Sequence, residues 1–490
     1  MDRRFFLKAA GASALGILAG GPASLSHAAE PDVAFTLTAK RDRVRILDGQ
    51  PTRVWRYAGE VTRGPESTLT DLPGYLGPVI RVRTGQRVRI RFVNAIPAKS
   101  IVHWHGLHVP DDMDGHPRFA VDSGEEYLYE FTVTNRAGTY WYHPHPHGLT
   151  GHQVYGGMAG LFIVEDEVED GLDLPSGARD VPLVIQDRTF DVENQLVYLR
   201  FGHERMTGFL GERIMVNGFE TPTMDFDAQP HRLRIFNGSN SRIYRLAWDD
   251  GTPLTVIGTD GGLLERPQRM DDVVLGPGER LDLWENFGGH ANRTRKLVSK
   301  SFDAWSMGRG MRGVIPNGAP FDVLTARIGE GQNDATPPKI LSSIAPENPA
   351  DAVNAEAPKR FVIQMSHMVG LINGRRYAMN DVAPDETVTM GTMELWDFVN
   401  PLGGRGMMGR PMPHPMHLHA RQFQVLEREG GGALNHMDKG WKDTVLVMPG
   451  QRVRIAVRFE DHAGLFLYHC HNLEHEDMGM MRNFRVVDRG

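Results

Sequence analysis

The sequence predicts an all-β protein built from three consecutive β-sandwich domains. Three observations carry that reading. Short segments with period-two alternation of apolar and polar residues recur three times in the same order. The turn formers are abundant, with 55 Gly and 31 Pro. The length, 490 residues, suits about three ordinary domains rather than one.

The first repeated element is a strand ending in Asn. Ile80-Arg-Val-Arg-Thr-Gly-Gln-Arg-Val-Arg-Ile-Arg-Phe-Val-Asn94 alternates across a central Gly turn, and His231-Arg-Leu-Arg-Ile-Phe-Asn237 and Glu394-Leu-Trp-Asp-Phe-Val-Asn400 match its second half. A turn-plus-strand follows each: Ser123-Gly-Glu-Glu-Tyr-Leu-Tyr-Glu-Phe131, Pro277-Gly-Glu-Arg-Leu-Asp-Leu283 and Pro449-Gly-Gln-Arg-Val-Arg-Ile455. Ala137-Gly-Thr-Tyr-Trp-Tyr-His-Pro-His145 pairs with Ala463-Gly-Leu-Phe-Leu-Tyr-His-Cys-His471, so the first and third units share features the middle one lacks. Acidic, Pro- and Gly-containing residues 166–180, and the Pro-, Ala- and Asn-rich stretch 331–358, read as linkers. The expected domains are 30–168, 178–330 and 358–490.

Residues 1–29 read as an export signal that is then removed. Asp2-Arg3-Arg4-Phe5-Phe6-Leu7-Lys8 resembles a twin-arginine motif, a small apolar stretch follows, and Ser26-His27-Ala28 offers a cleavage site. The expectation is transport by the twin-arginine machinery to the periplasm, with no stable membrane span in the mature protein. The formal charge is -7 with no basic stripe, which gives no basis for nucleic-acid binding. A single cysteine forbids an internal disulfide, and in an oxidising compartment a bound metal would protect it.

That cysteine is the centre of the chemistry. His469-Cys470-His471 is followed by His475 and Met480. One thiolate, two imidazoles and a weak axial thioether make a blue-copper site. His414, in His414-Pro-Met-His-Leu-His419, is the natural second imidazole. A structural zinc site would favour several cysteines. Four non-overlapping His-x-His pairs occur: His103/His105, His143/His145, His417/His419 and His469/His471. On a strand, positions i and i+2 share a face. Each pair therefore presents two imidazoles together, while Cys470 points the other way, into its own domain. His147 and His152 fall outside this pattern and read as loop or supporting residues.

Together these motifs resemble the multicopper oxidases of the three-domain, laccase-like kind, including the exported cuprous oxidases. The resemblance spans nearly all of the mature chain. It implies three cupredoxin-like Greek-key β-sandwich domains and four copper ions. By position, one type 1 copper falls to His414, Cys470, His475 and axial Met480. The type 2 copper falls to His103 and His417, and two type 3 coppers fall to His105, His143, His145, His419, His469 and His471. The implied activity is one-electron oxidation of a donor coupled to four-electron reduction of O2 to water, with Asp114 and Glu476 where the family places its proton-handling acids. A filled ligand set argues against the alternative, a periplasmic copper-sequestering tolerance protein with incidental oxidase activity, because storage needs no such geometry. Copper nitrite reductases lack the type 3 pairs.

The donor is open at this level: Cu(I), or a phenol or aromatic amine, with Fe(II) lacking any distinct acidic cluster. Met407, Met408 and Met412, in a Gly-rich stretch before His414, are candidate soft ligands for Cu(I) or packing residues. Met307 and Met311 form a second such group, read as packing. Arg410 stands where an acid would help to hold Cu(I). His414 is expected to present its ring edge to the donor.

Overall fold

The structure, a computed structural model, describes residues 30–304, 314–331, 333, 335–366, 368–403, 411–431 and 434–489. Residues 1–29, read above as an export signal, Met307, Met311, Met407, Met408 and Arg410 lie outside them. The described residues form three cupredoxin-like β-sandwiches whose strands span 33–165, 180–328 and 359–487, each with two sheets.

The sequence repeat is a repeat of pairing. In the first sheet of each unit, one strand runs parallel to the Asn-ended strand, which pairs antiparallel with the strand after the repeated turn. These trios are Val33–Val44, Arg87–Asn94 and Glu126–Thr132; Asp180–Arg188, Pro230–Asn237 and Arg280–Asn286; and Lys359–Ser366, Thr392–Asn400 and Gln451–Phe459. The second sheets agree as well, with one parallel and three antiparallel pairings in each. Parallel neighbours need a crossover between sheets, which is why no unit is a simple meander.

The recurrent Asn has a structural cause. Asn94 Nδ2 donates to the carbonyls of Ala98 and Val121, Asn237 Nδ2 to Arg242 and Leu275, and Asn400 Nδ2 to Met412 and Val447. Each amide ties together two backbone carbonyls from separate segments beyond its own strand. In the third unit the latch fixes the backbone two residues before His414.

Each sandwich encloses its own apolar core: Phe35, Phe92 and Trp104 in the first, Leu233, Trp248 and Leu283 in the middle, and Phe361, Trp396 and Phe484 in the third. Apolar seams tie the middle unit to both others, through Trp141, Leu161, Met215 and Phe236 on one side and Ile243, Val274, Leu446 and Met448 on the other. The first and third units meet through polar contacts, among them Leu465 N to Asp111 Oδ2 at 3.0 Å and His116 Nε2 with Asn483 Oδ1 at 3.0 Å. No helix among the described residues is long and apolar enough to cross a membrane.

Candidate metal centres

Strand pairing assembles the histidines. Val102–His105 pairs antiparallel with Gly138–Pro144, setting His103 opposite His143. His414–Leu418 pairs antiparallel with Gly464–Cys470, setting His417 opposite His469 and Met416 opposite Cys470. Directly opposed residues share a face of the sheet. Each unit therefore offers a block of four imidazoles, the second of each pair lying at or just past the strand end.

The two blocks face each other across the polar seam. His103 Nε2 lies 3.3 Å from His417 Nε2, His145 Nε2 lies 3.4 Å from His469 Nε2, and His419 Nε2 lies 3.0 Å from His469 Nε2. The rings of His105, His143 and His471 form a third cluster with centroids 4.9–5.8 Å apart. Seven of the eight imidazoles are fully buried and His471 is 1% exposed. Burial drives the pKa of His105, His143, His145, His417, His419 and His471 well below the ordinary histidine value, and that of His469 to about 3. These rings are therefore neutral and carry free lone pairs. His105 Nδ1, His143 Nε2, His145 Nδ1 and both His471 nitrogens are buried without a partner. Buried polar atoms are rarely left so. Neutral nitrogens converging on one cavity fit cations, and imidazole suits copper.

Carboxylates and carbonyls around the rings set their orientation. His103 Nδ1 donates to the Asp114 carbonyl at 2.7 Å, and His419 Nδ1 to Asp114 Oδ2 at 2.8 Å. Glu476 brings Oε1 to 3.4 Å from His145 Nε2 and Oε2 to 3.3 Å from His469 Nδ1. Burial raises the pKa of both acids, that of Glu476 well above the carboxylate range. Each can thus hold a proton at the wall of the cavity.

Sequence reading did not find Asp443, Thr444 or Arg280. His105 Nε2 donates to Asp443 Oδ1 and Thr444 Oγ1, both at 3.0 Å, which leaves Nδ1 as the buried nitrogen without a partner. His417 Nδ1 donates to the Asp443 carbonyl at 2.8 Å. Arg280, from the middle unit, grips Asp443 with two nitrogens at 2.7 and 2.5 Å. Burial works against the Arg280 charge, but Asp443 and Asp260 more than offset it, and its pKa ends above the usual range. The clamp also accounts for Gly106. A Cβ there would lie 2.4 Å from Asp443 Oδ2 and 2.9 Å from Arg280 Nη2, and its φ is +89°. No local pattern marks these residues, which are 163 positions apart.

A second donor set lies inside the third sandwich. Cys470 Sγ is 3.4 Å from His414 Nδ1 and 3.7 Å from His475 Nδ1. Cys470 belongs to the apolar core, as its opposite orientation to His469 requires, and so does Met480. The Cys470 amide donates to the Met480 carbonyl at 3.0 Å, and the Met480 amide to the His475 carbonyl at 2.9 Å. Burial pushes the Cys470 thiol up and lowers His475 to about 4. A soft cation would favour the thiolate, and one thiolate with two neutral imidazoles fits copper. His475 Nε2 donates to the Met206 carbonyl at 3.0 Å and is fully buried, whereas His414 retains 4% exposure. Met412 is 8% exposed and packs on Leu210 and Val314. His147 packs on Tyr377, and His152 packs on Trp55.

Family models described as multicopper oxidase match residues 44–169 and 346–490. A laccase of Bacillus subtilis is 30% identical, with 90% of this chain and 91% of the laccase covered. The multicopper oxidase mco of Staphylococcus haemolyticus is also 30% identical, over 93% of this chain and 88% of that protein. The crystal structure of the McoA multicopper oxidase from the hyperthermophile Aquifex aeolicus superposes with a TM-score of 0.80 at 38% identity, covering 93% of this chain and 96% of that one. The paired histidine blocks, the single cysteine between His469 and His471 and these likenesses agree: the chain belongs to the multicopper oxidases, oxidoreductases that take electrons from a reducing substrate and pass them to O2.

Proposed function

We propose that the chain holds four copper ions and oxidises phenols or aromatic amines, with reduction of O2 to water. In this reading His414, Cys470, His475 and Met480 would hold the type 1 ion. His103 and His417 would hold the type 2 ion, and the remaining six paired histidines would hold the type 3 ions. Copper bound there supplies one-electron redox chemistry and the reduction of O2. The observation that carries the reading is the convergence of buried, neutral nitrogens from two units, several without a protein partner.

The chain's own residues supply the rest. Cys470 lies between His469 and His471 in sequence, so the two donor sets are joined by a few covalent bonds. Glu476 holds a proton beside His145 and His469, and Asp114 orients His103 and His419. The organic donor is favoured over Cu(I) by the packing of Met412 against Leu210 and Val314, away from a metal-binding role. The name of the Bacillus subtilis relative, a laccase, points the same way. The twin-arginine motif supports export of the folded chain to the periplasm.

Copper analysis of the mature protein, with oxygen uptake on a simple phenol and on Cu(I) in parallel, tests the reading. Four coppers per chain and faster saturable uptake with the phenol are expected. Faster uptake with Cu(I) would replace the donor class, and full loading without uptake on either would reinstate sequestration.

A further inference from the structure

A cavity of about 700 Å³ opens on the side of the first unit, and none of its lining residues belongs to the donor sets above. Its wall is aromatic. Trp55 packs edge-on to His152 at 5.2 Å, and Tyr155 stacks on Tyr198 at 4.7 Å with 22° between the planes. Its rim is cationic: Arg41, Arg43 and Arg53 are exposed there, and the acid among them, Asp42, is 3.6 Å from Lys40. An aromatic wall beneath guanidinium groups suits a flat ring that carries a carboxylate.

The floor connects this cavity to the Cys470 site. Tyr198 OH donates to Glu474 Oε1 at 2.6 Å. Glu474 is 1% exposed and also accepts from Asn240 Nδ2 at 2.8 Å and Phe209 N at 2.9 Å. Its neighbour in the chain is His475, whose Nδ1 lies against Cys470 Sγ. A contact with the Tyr198 ring, one short hydrogen bond and the continuous covalent path of the Glu474 side chain and its peptide link to His475 therefore join an arene in the cavity to an imidazole of the thiolate site. Such a path carries a tunnelling electron far better than an equal gap through space.

We propose that this cavity is a second donor site, specific for phenols bearing a carboxylate, and that Tyr198 is its electronic contact with His475. The site deepens the phenol-oxidase reading and rests on it. The bound phenol loses one electron and one proton and leaves as a phenoxyl radical. The proton passes to water at the open mouth of the cavity. The electron reduces the oxidised enzyme by way of Tyr198, Glu474 and His475, and four such events match one O2. Tyr198 is a positioning residue here, whose hydroxyl completes the path.

Syringate, its methyl ester and hexacyanoferrate(II) are the probes. Calorimetry on the metal-free protein is expected to show one syringate bound per chain, weaker binding of the ester, and loss of binding in Leu196→Trp, which fills the cavity. In the copper-loaded enzyme, Tyr198→Phe is expected to lower kcat for syringate about tenfold with its affinity unchanged, a signature of lost coupling rather than lost binding. Turnover of hexacyanoferrate(II), an outer-sphere donor with no need of the cavity, checks the oxidase reading separately. Absence of syringate binding, binding that survives Leu196→Trp, or an equal fall for both donors in Tyr198→Phe would each overturn the site while leaving the oxidase intact. Failure of hexacyanoferrate(II) in the unmutated enzyme would overturn the oxidase reading itself.

Discussion

The middle unit and its two neighbours share one strand pairing but bring different polar groups to the histidine cluster. The outer units bury neutral imidazoles, several of them unpartnered. The middle unit buries charges in pairs: Arg232 and Arg234 with Asp282, Arg242 with Asp187, Arg295 with Glu285, and Arg280 with Asp443 of the third unit. The repeat makes the contrast sharp. Arg280 follows Pro277-Gly-Glu, and Arg452 follows Pro449-Gly-Gln at the matching position. Arg280 is 0% exposed at the histidine cavity, while Arg452 is 20% exposed in a surface network with Glu427, Glu429 and Asp397. One repeat position thus became a clamp in the unit without paired histidines and remained a surface residue in the unit with them. The middle unit serves the metal sites by holding the walls rather than by supplying ligands.

Removing a donor from an outer unit should have the largest effect. Cys470→Ser is expected to abolish visible absorption of the blue type and donor oxidation while the histidine cavity still binds copper. Persistence of both properties, seen by absorption and oxygen uptake, would remove Cys470 from the site. Glu476→Gln should slow oxygen reduction by about a hundredfold or more while the blue absorption is unchanged. Equal turnover in the two forms would show that the acid at His145 and His469 is structural.

The clamp itself is tested by Arg280→Met, which leaves Asp443 buried without its partner. Breaking such a pair costs about 3–5 kcal/mol, to be read from denaturant unfolding of the metal-free protein. Arg452→Met, the matching change on the surface, should cost about 1 kcal/mol or less. Similar losses in both would erase the distinction between the two positions.

Acidification separates the two kinds of burial again. His469 and His475 have folded-state values of about 3 and 4, below the ordinary 6.5, so the unfolded chain takes up their protons first. Their contribution to stability is complete above pH 6.5 and is lost as pH falls toward those values, at about 1.4 kcal/mol per unit for each group. Melting of the metal-free protein across that range should show a steep fall, and a flat profile would contradict neutral burial. The smallest effect is expected from Met412→Leu: a stability change under about 1.5 kcal/mol and unaltered Cu(I) kinetics, as packing against Leu210 and Val314 implies.

What the sequence made legible were features with a local period. Alternation gave the strands, and the spacing of His103/His105 or His469/His471 gave imidazoles on a common face, because strand geometry turns a two-residue step into a shared direction. The strand-end Asn residues were visible as a repeat, but their latching of Met412 and Val447 was not. Asp443, Thr444 and Arg280 were invisible for a related reason. Their contact joins different units, and nothing within a few residues of either Arg280 or Asp443 requires the other. Cavities walled by several segments, such as the one lined by Arg41, Trp55 and Tyr198, are likewise properties of packing alone.

His103 and His417 stand 314 positions apart and meet at 3.3 Å. A cavity defined by both cannot exist on a chain still being synthesised, because one wall is made near the start and the other near the end. Occupancy of that cavity therefore reports that translation has finished and that both ends have folded and docked. For the proposed export route, which carries folded cargo, a filled site would act as a quality mark, separating finished molecules from truncated or misassembled ones before they leave the cytoplasm.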